Sequence, residues 1–398
     1  MVSPLTIKDF RFLWIGQSLS ALGDPLQMIA VIWLVMDLDG SAVGLSVVLT
    51  ALTLPRALAT LVGGVLTDRV TARVVMVSTD LVRSACAATI AVLSATGSLN
   101  LFLLGCLLVV FGVAGGIFSP ACSSITPHVV PPGHLQAANS LLQFTPQVAL
   151  LIGAPVAGGL VAMVGPAAGI AINAGTFLIS AVATGLMSVQ NHLRRREPGS
   201  FSKELIGGVS YVRMHAWLLA LLLVDMFLNL AISGPMSVGL PILAQRKLDT
   251  GAQGYGVLLA AFGLGSIAGL FGVAVVEGRR SRGMVFLSVQ LAQVPLIALL
   301  AASNMHLSIV LLIGLGIMHG FGSVIYISMI QENVSGAMLG RVMSFVGLVA
   351  TLLVPLSQVA TGVIAERFGI GQVFVLSAIV TLGATAAGFA VASLRRVE

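Results

Sequence analysis

Four ionisable residues interrupt long apolar segments of this 398-residue chain: Asp24, Arg56, Asp225 and His319. Each lies 12 or 13 residues from a charged residue at one end of its segment, which is about 18–20 Å along an α-helix. A hydrocarbon core is about 30 Å thick, so the four share a depth near its midplane. A charge there costs about 2.5–3.5 kcal/mol or more, and residues kept at that cost usually serve ion pairing or proton transfer.

Asp24 and Arg56 lie on consecutive antiparallel segments at matching heights. We expect them to pair in one state and separate in another, with Asp24 binding a proton when Arg56 is withdrawn. The alternative is a static ion pair that fixes helix packing. His319 could relay protons near neutral pH or act as a neutral hydrogen-bonding group. Asp225 could contact a cationic substrate or bind a second proton, and the sequence does not rank these.

Polar side chains share helical faces with these ionisable residues, and a polar face is costly against lipid. We therefore expect a polar cavity lining, with Pro25 bending the first helix beside Asp24. The polar set is Gln17, Ser20, Gln27, Gln143, Asn229, Ser323 and Tyr326. For Gln143 the alternative is a solvated helix end. An apolar lining is expected from Phe111, Phe118, Met226, Phe227, Met318 and Phe321, with ordinary packing or lipid contact as the alternative at each position.

The composition requires a lipid environment for these segments. Hydrophobic residues make up 57% of the chain and charged residues 9%, against about 25% charged in soluble domains. The net charge of +6 is therefore no sign of nucleic-acid binding. Breaks at charged, Pro/Gly and Asn-rich stretches predict an all-α membrane protein of about twelve spanning helices: 10–36, 43–66, 74–97, 100–119, 138–164, 167–189, 215–240, 253–276, 283–303, 307–329, 341–365 and 371–394.

The longest polar stretch divides six helices from six, which predicts bundles at 1–189 and 215–398 joined by a linker at 190–214. With both termini on one side, sixteen basic residues fall on that side and Arg246, Lys247 and Arg367 on the other. This asymmetry predicts cytoplasmic termini and a cytoplasmic linker.

A weak internal repeat relates the two halves. Ser140, Gly158 and Gly165 recur as Ser344, Gly362 and Gly369 with the same spacings. In the same chain order, Asp68 corresponds to Glu277, Arg73 to Arg282, and Asp24 to Asp225. The matches together predict a duplicated six-helix unit.

Several stretches resemble the major facilitator superfamily. "GVLTDR" with Arg73 resembles its cytoplasmic loop motif, and "GAPVAGG", with Pro155, Gly158 and Gly159, resembles its antiporter motif on the fifth helix. "FRFLWIGQSLSALGD" and "FSPACSSITPHVVPPGHLQAANSLLQ" resemble the bacterial branch of macrolide, tetracycline and enterobactin exporters. The resemblance implies two six-helix bundles around a central cavity, alternating access and proton-driven efflux across a bacterial inner membrane.

The loop motif implies a gate on the cytoplasmic side. Opposite charges near the second and third helices suit an ionic latch, and the alternative is a basic membrane anchor with weak surface ion pairs. The gating set is Gly64, Leu66, Asp68, Arg69, Arg73, Asp80 and Arg83.

These observations lead us to expect a proton-coupled exporter of amphipathic small molecules, acting as a monomer in the bilayer without a cofactor, metal or nucleic acid. "GLGSIAG" at 263–269 mimics a nucleotide fingerprint, but it lies inside a spanning segment where glycines serve helix packing. The sequence lacks a Ser-His or metal set for an intramembrane enzyme. The alternatives are a siderophore or lipid exporter, a proton-coupled importer, or a membrane sensor that does not transport.

Overall fold

The computed structural model describes residues 4–188, 210–272 and 281–397. These residues form helices, turns and bends without a strand. Twelve helices among them are long and apolar enough to cross a membrane. The prediction of an all-α protein with about twelve spans is therefore confirmed.

The chain forms two compact units. Unit 1 contains the described residues 4–188 and 250–257, and unit 2 contains 210–249 and 258–397. Most of the predicted linker, 190–214, lies outside the described residues.

Six helices make up most of unit 1, and each has the length of a membrane span. They are α1 (Lys8–Leu38), α2 (Ala42–Arg69), α3 (Ala72–Ala95), α4 (Leu101–Val129), α5 (Leu135–Val164) and α6 (Pro166–Gly185). Side chains of Ser41 and Asn100 cap the N-termini of α2 and α4 by accepting backbone N–H bonds.

The second half contains α7 (Ala216–Gly234), α8 (Gly251–Gly272), α9 (Arg282–Leu300), α10 (Met305–Asn333), α11 (Gly336–Leu352), α12 (Val354–Phe368) and α13 (Ile370–Ala390). Two π-helical turns, Pro235–Gly239 and Leu243–Lys247, extend α7. The first residues of α8 belong to unit 1.

Two predicted segments differ from the observed helices. The fourth was expected to end at residue 119, but α4 continues through Pro120 and Pro127 to Val129. Proline removes one backbone hydrogen bond without ending a helix whose neighbours stabilise it. The eleventh was expected to be continuous, whereas α11 ends at Leu352 and α12 begins at Val354, with Pro355 in its first turn.

Glycines bring corresponding helix pairs close together in the two units. A Cβ at Gly112 or Gly116 of α4 would lie 2.3 Å from a carbonyl oxygen of α2. A Cβ at Gly265 or Gly269 of α8 would lie 2.1 or 2.2 Å from a carbonyl oxygen of α10. The glycines of "GLGSIAG" therefore serve helix packing.

Gly165 and Gly369, matched by the repeat, join consecutive helices in the same way. Their φ angles are 83° and 87°, a region that side chains rarely adopt. This agreement supports the duplicated unit.

Candidate functional site

The most buried charges of unit 1 are Asp80 and Arg83, one turn apart on α3. The Arg83 guanidinium forms an ion pair with the Asp80 carboxylate. Asp80 is 0% exposed and Arg83 7%. Ser180 of α6 donates its hydroxyl to Asp80 Oδ2 at 2.8 Å. Both charges are thus removed from solvent and held by neighbouring groups.

Two aromatic rings enclose the Arg83 guanidinium. Its central carbon lies 4.3 Å from the ring centroid of Phe118 on α4 and 4.4 Å from that of Phe177 on α6. Guanidinium groups stack favourably on aromatic faces because the cation is planar and weakly hydrated. Arg83 Nε is buried and has no hydrogen-bond partner among the described residues. The two rings therefore stabilise the buried cation.

The sequence analysis grouped Asp80 and Arg83 with the cytoplasmic gate, near the start of the third helix. They lie 8 and 11 residues into α3, about 12 and 16 Å from its start. Their burial against α4 and α6 places them inside unit 1 rather than at a solvated helix end.

Asp24 is an exposed acid on α1 near this buried pair. Its carboxylate lies within electrostatic range of two guanidinium groups, Arg83 with the larger effect and Arg56 with the smaller. No ion pair or hydrogen bond joins the Asp24 side chain to any residue that the structure describes. Arg56 therefore acts on Asp24 electrostatically, but the two side chains do not form the ion pair that the sequence predicts for one transport state.

Arg56 lies on α2 against the glycines of α4. A Cβ at Gly116 would lie 2.3 Å from the Arg56 carbonyl oxygen, and one at Gly115 would lie 3.8 Å from Arg56 Nε. The absence of side chains at these positions lets α4 approach the backbone of Arg56 and leaves room for its side chain.

The polar stripe of α1 packs on α6. Gln17 donates to Ser180 at 3.4 Å, and Gln27 accepts from Asn173 at 3.1 Å. Ser20 and Gln27 are each 5% exposed. Ser20 and Gln27 are therefore buried within unit 1, whereas Gln17 is half-buried.

The sequence analysis missed the partners on α6. Asn173, Thr176 and Ser180 recur at positions i, i+3 and i+7 of an apolar segment. That spacing places them on one helical face. The helical spacing of polar residues that predicts the stripe on α1 therefore predicts this second stripe on α6 as well.

In unit 2, Asp225 of α7 meets Tyr326 of α10. The Tyr326 hydroxyl donates to Asp225 Oδ2 at 3.3 Å. Tyr326 is 8% exposed, and Phe286 lies 5.9 Å from its ring centroid. Asn229 donates to the Asp225 backbone carbonyl at 3.0 Å. Asp225 itself is half-buried.

His319 of α10 is exposed at the edge of a cavity in unit 2. Its ring centroid lies 5.5 Å from that of Phe262. The cavity has a volume of about 30 Å³, which is room for no more than a few water molecules. It is lined by Ile232, Pro235, Met236, Phe262, Gln293, Ile297, Leu300, Leu315, His319, Phe374 and Ser377.

The predicted apolar lining residues occupy different environments. Phe111 is 8% exposed and lies edge-on to Phe177 at 5.5 Å, so it packs inside unit 1, as Phe118 does. Phe227 is 43% exposed. Met226, Met318, Phe321 and Ser323 are half-buried, and Gln143 is exposed.

Besides Asp80 and Arg83, two members of the predicted gate have described contacts. Leu66 packs against a core cluster that includes Phe10 and Met76, and Arg73 donates to the carbonyl of Gly185 at the end of α6. A cation at a helix C-terminus is favourable. Gly64, Asp68 and Arg69 lie in the last turns of α2, and the surroundings of these three residues lie outside what the structure describes.

The antiporter-like stretch of α5 makes one close contact. A Cβ at Gly158 would lie 2.5 Å from the carbonyl oxygen of Ala252, in the segment 250–257 of the same unit. A Cβ at Gly159 would meet nothing within 4 Å. Pro155 is half-buried.

Comparisons with known proteins cover almost the whole chain. A family model described as "Transmembrane secretion effector" matches residues 1–398. Macrolide efflux protein A of Streptococcus pyogenes is 23% identical over 92% of each chain. Multidrug efflux pump Tap of Mycolicibacterium fortuitum is 24% identical over 88% of each chain.

Solved structures share the fold at low identity. Nucleoside transporter NupG gives a TM-score of 0.80 at 11% identity, over 96% of this chain and 98% of that one. A bacterial homologue of the human lysosomal transporter Spinster, in an inward-facing and unoccupied conformation, gives 0.80 at 13% identity, over 100% and 98%.

Proposed function

Because the chain belongs to the transmembrane secretion effector family of major facilitator superfamily transporters, as the resemblance predicted, we propose that it is a proton-coupled exporter of amphipathic small molecules. As a member of this family, the chain is a multi-pass membrane transporter and not an enzyme. The names of its efflux relatives favour export, with macrolide-like or other drug-like compounds as cargo.

The observation that carries the coupling proposal is the setting of Asp24. Its carboxylate is exposed and without a direct partner among the described residues, yet Arg83 and Arg56 attract it. Arg83 is fixed by Asp80 and two rings, whereas Arg56 is exposed. Protonation of Asp24 would therefore weaken its attraction to both guanidinium groups, and Arg56 is the one of the two that no described ion pair fixes in place.

The proposed cycle uses this difference. When Asp24 is charged, Arg56 is drawn toward it and holds α1 and α2 together. After substrate is released outside, a proton from that side neutralises Asp24 and releases Arg56, which permits the carrier to turn inward. The proton then leaves to the cytoplasm, and the charged carrier binds substrate and carries it outward. One charge moving through the membrane potential supplies about 2.3 kcal/mol per 100 mV. His319 is exposed and could carry a proton in unit 2.

We expect Asp24→Asn to abolish accumulation driven by a pH gradient while substrate exchange without a gradient continues. The amide cannot take up a proton but is similar in size, so binding and alternation should persist. Proteoliposomes containing the full chain, with radiolabelled erythromycin on one or both sides, measure the two activities separately.

Asp37→Asn is the matched control, because Asp37 is an exposed acid near the other end of the same helix. It should keep gradient-driven transport. If Asp24→Asn also kept it, Asp24 would not be the coupling acid.

The remaining features of the proposal follow from the sequence and the family. We propose a bacterial inner-membrane location with cytoplasmic termini, a monomeric working unit, and gating by the α2–α3 connection around Asp68 and Arg69. The anchoring of Arg73 to the end of α6 supports a cytoplasmic gate that is linked to the interior of unit 1.

A further inference from the structure

The Asp80–Arg83 pair is held more firmly than the other ion pairs that the structure describes. Asp80 accepts a hydrogen bond from Ser180 in addition to its ion pair with Arg83, and Phe118 and Phe177 lie against the guanidinium. The other described pairs join side chains that are more than a third exposed. Arg83 therefore keeps its position when a charge nearby changes.

Helix α6 brings α1 beside this pair. Gln17 of α1 donates at 3.4 Å to Ser180, the same hydroxyl that bonds to the carboxylate of the pair. Ten residues further along α1, Gln27 accepts at 3.1 Å from Asn173, which lies seven residues earlier on α6. The two helices are therefore antiparallel, and Asp24 lies between these two contacts.

The packing of Gly23 sets the height of Asp24 on this surface. A Cβ at Gly23 would overlap the side-chain hydroxyl of Thr176 on α6. Thr176 is followed directly by Phe177, whose ring lies 4.4 Å from the central carbon of the Arg83 guanidinium. The Asp24 carboxylate therefore begins from a backbone position close in height to the buried cation.

Two arginines and one carboxylate act on Asp24. Arg83 attracts its carboxylate more strongly than Arg56 does, and Asp80 repels it. Asp80 does not use the whole guanidinium, because Arg83 Nε has no hydrogen-bond partner in the described part of the chain. Arg83 therefore serves two carboxylates at once, one in direct contact and one at longer range.

The other helices packed around α1 add little charge. Within their described ranges, α5 and α6 carry no charged or titratable side chain. Cys122 of α4 faces the ion pair. Tyr255 stacks on Trp33 of α1 with ring centroids 5.7 Å apart, nine residues or about 14 Å beyond Asp24. The arginines and Asp80 are therefore the charges that govern ionisation of Asp24.

We propose that the Asp80–Arg83 pair tunes the proton affinity of Asp24, with Arg83 as its main counter-ion. The inference rests on the proposed function and deepens it by naming the groups that regulate the coupling site. The two members act in opposite directions, because the guanidinium stabilises the charged form of Asp24 and the Asp80 carboxylate offsets part of that effect. Both are positioning residues that act through their charge.

A fixed cation is useful because the coupling acid must also release its proton. In the proposed cycle Arg56 is withdrawn while Asp24 is protonated. An acid left in the membrane without any cation would hold its proton tightly. Arg83 stays beside it throughout, held by its contacts on α3, α4 and α6. Asp24 can therefore ionise again on the cytoplasmic side.

Infrared difference spectroscopy of the purified full-length chain tests this proposal, because it detects the carbonyl stretch of a protonated carboxylic acid during a pH titration. The titrating band that is missing in Asp24→Asn belongs to Asp24. Arg83→Gln should move the midpoint of this band to higher pH by at least about half a unit, a threefold gain in proton affinity. Asp80→Asn should move it to lower pH, because the guanidinium then acts without its offset.

Opposite shifts separate an electrostatic role from a structural one, since both variants remove one member of the same buried pair. Arg83→Lys keeps the charge and should leave the midpoint close to that of the wild type. Arg56→Gln should move it to higher pH by less than Arg83→Gln does. If Arg83→Gln does not fold, the opposite shifts of Asp80→Asn and Arg56→Gln still decide the test.

The proposal is overturned if Asp24→Asn removes no titrating band, if Arg83→Gln and Asp80→Asn shift the midpoint in the same direction or not at all, or if Arg56→Gln has the larger effect. The band reports protonation without a gradient or a substrate, so a failure of proton-driven export would not alter it. Conversely, unchanged midpoints would leave the Asp24→Asn transport test unaffected.

Discussion

At the scale of single residues, unit 1 surrounds one buried ion pair with groups that satisfy it. Asp80 accepts from Ser180 and pairs with Arg83, whose guanidinium lies between two rings. A buried pair adds little net stability compared with apolar packing, but removing one partner leaves the other charge uncompensated. The cation also acts on Asp24, so this pair sets the field in which the proposed coupling acid works.

We expect Arg83→Ala to lower the free energy of unfolding by about 3–5 kcal/mol, because the Asp80 carboxylate would remain buried without its cation. Equilibrium unfolding in mixed micelles measures this loss. Arg83→Lys should recover only part of it, since lysine cannot stack as a planar group.

The control for this prediction is Arg246→Ala. Arg246 pairs with Glu366 at 3.2 Å, and both side chains are more than a third exposed. Removing an exposed pair should cost only about 0–1 kcal/mol. If Arg83→Ala and Arg246→Ala lowered the free energy of unfolding equally, burial of the Asp80–Arg83 pair would not be the reason for the loss.

At the scale of helices, close approach of α4 to α2 positions Arg56. Gly112 and Gly116 place their Cα atoms directly against the α2 backbone. Small residues allow such contacts in membranes, where helix association depends on close packing because lipid is as apolar as the helix surfaces. The corresponding contact in the second half joins α8 to α10. When Asp68 is aligned with Glu277, as in the internal repeat, Gly265 takes the position of Arg56. The repeat therefore preserves the packing and not the charge.

We predict that Gly116→Ala lowers the free energy of unfolding by about 1–3 kcal/mol, the range for overpacking. Its Cβ would lie 2.3 Å from the Arg56 carbonyl oxygen, so one helix must move. Gradient-driven transport should fall as well, because Arg56 is displaced. Thermal unfolding and the proteoliposome assay measure the two effects.

Gly115→Ala is the matched control one residue away. Its Cβ would make an ordinary contact at 3.8 Å, and alanine favours a helix over glycine by about 1 kcal/mol. Stability should be unchanged or slightly higher. A loss equal to that of Gly116→Ala would show that the α2–α4 contact is not the cause.

At the scale of the whole molecule, the charges differ between the units and between the predicted membrane sides. The spanning helices of unit 1 hold acids together with arginines, whereas unit 2 holds Asp225 without a described counter-ion. Besides Arg83, which is buried inside unit 1, fifteen basic residues lie on the predicted cytoplasmic side and three on the other. This asymmetry supports the predicted orientation.

The orientation predicts opposite results for two fusions. Green fluorescent protein at the C-terminus should fluoresce, because it folds in the cytoplasm. Alkaline phosphatase inserted at Gly97, in the turn between α3 and α4, should be active because this turn is expected to face outward. The predicted orientation would be overturned if the C-terminal fusion did not fluoresce and the phosphatase at Gly97 were inactive.

Much of the fold could be predicted from the sequence because the membrane limits the choices. Segments long and apolar enough to span lipid must satisfy their own backbone hydrogen bonds, so they form helices. The glycines at 165 and 369, matched by spacing alone, adopt the same unusual backbone conformation. Proline was a less reliable signal: it coincided with the α11–α12 break at Pro355 but not with an end of α4 at Pro120.

The sequence by itself determined the class of protein and the number of spans, because these depend on composition and distance along the chain. Only the tertiary structure decided which side chains meet. It placed the Arg83 guanidinium against Phe118 and Phe177, joined the stripe of α1 to α6, and left Asp24 without a direct partner among the described residues. Helical periodicity gives the face of a residue, whereas its partner depends on how neighbouring helices are rotated and how closely they pack.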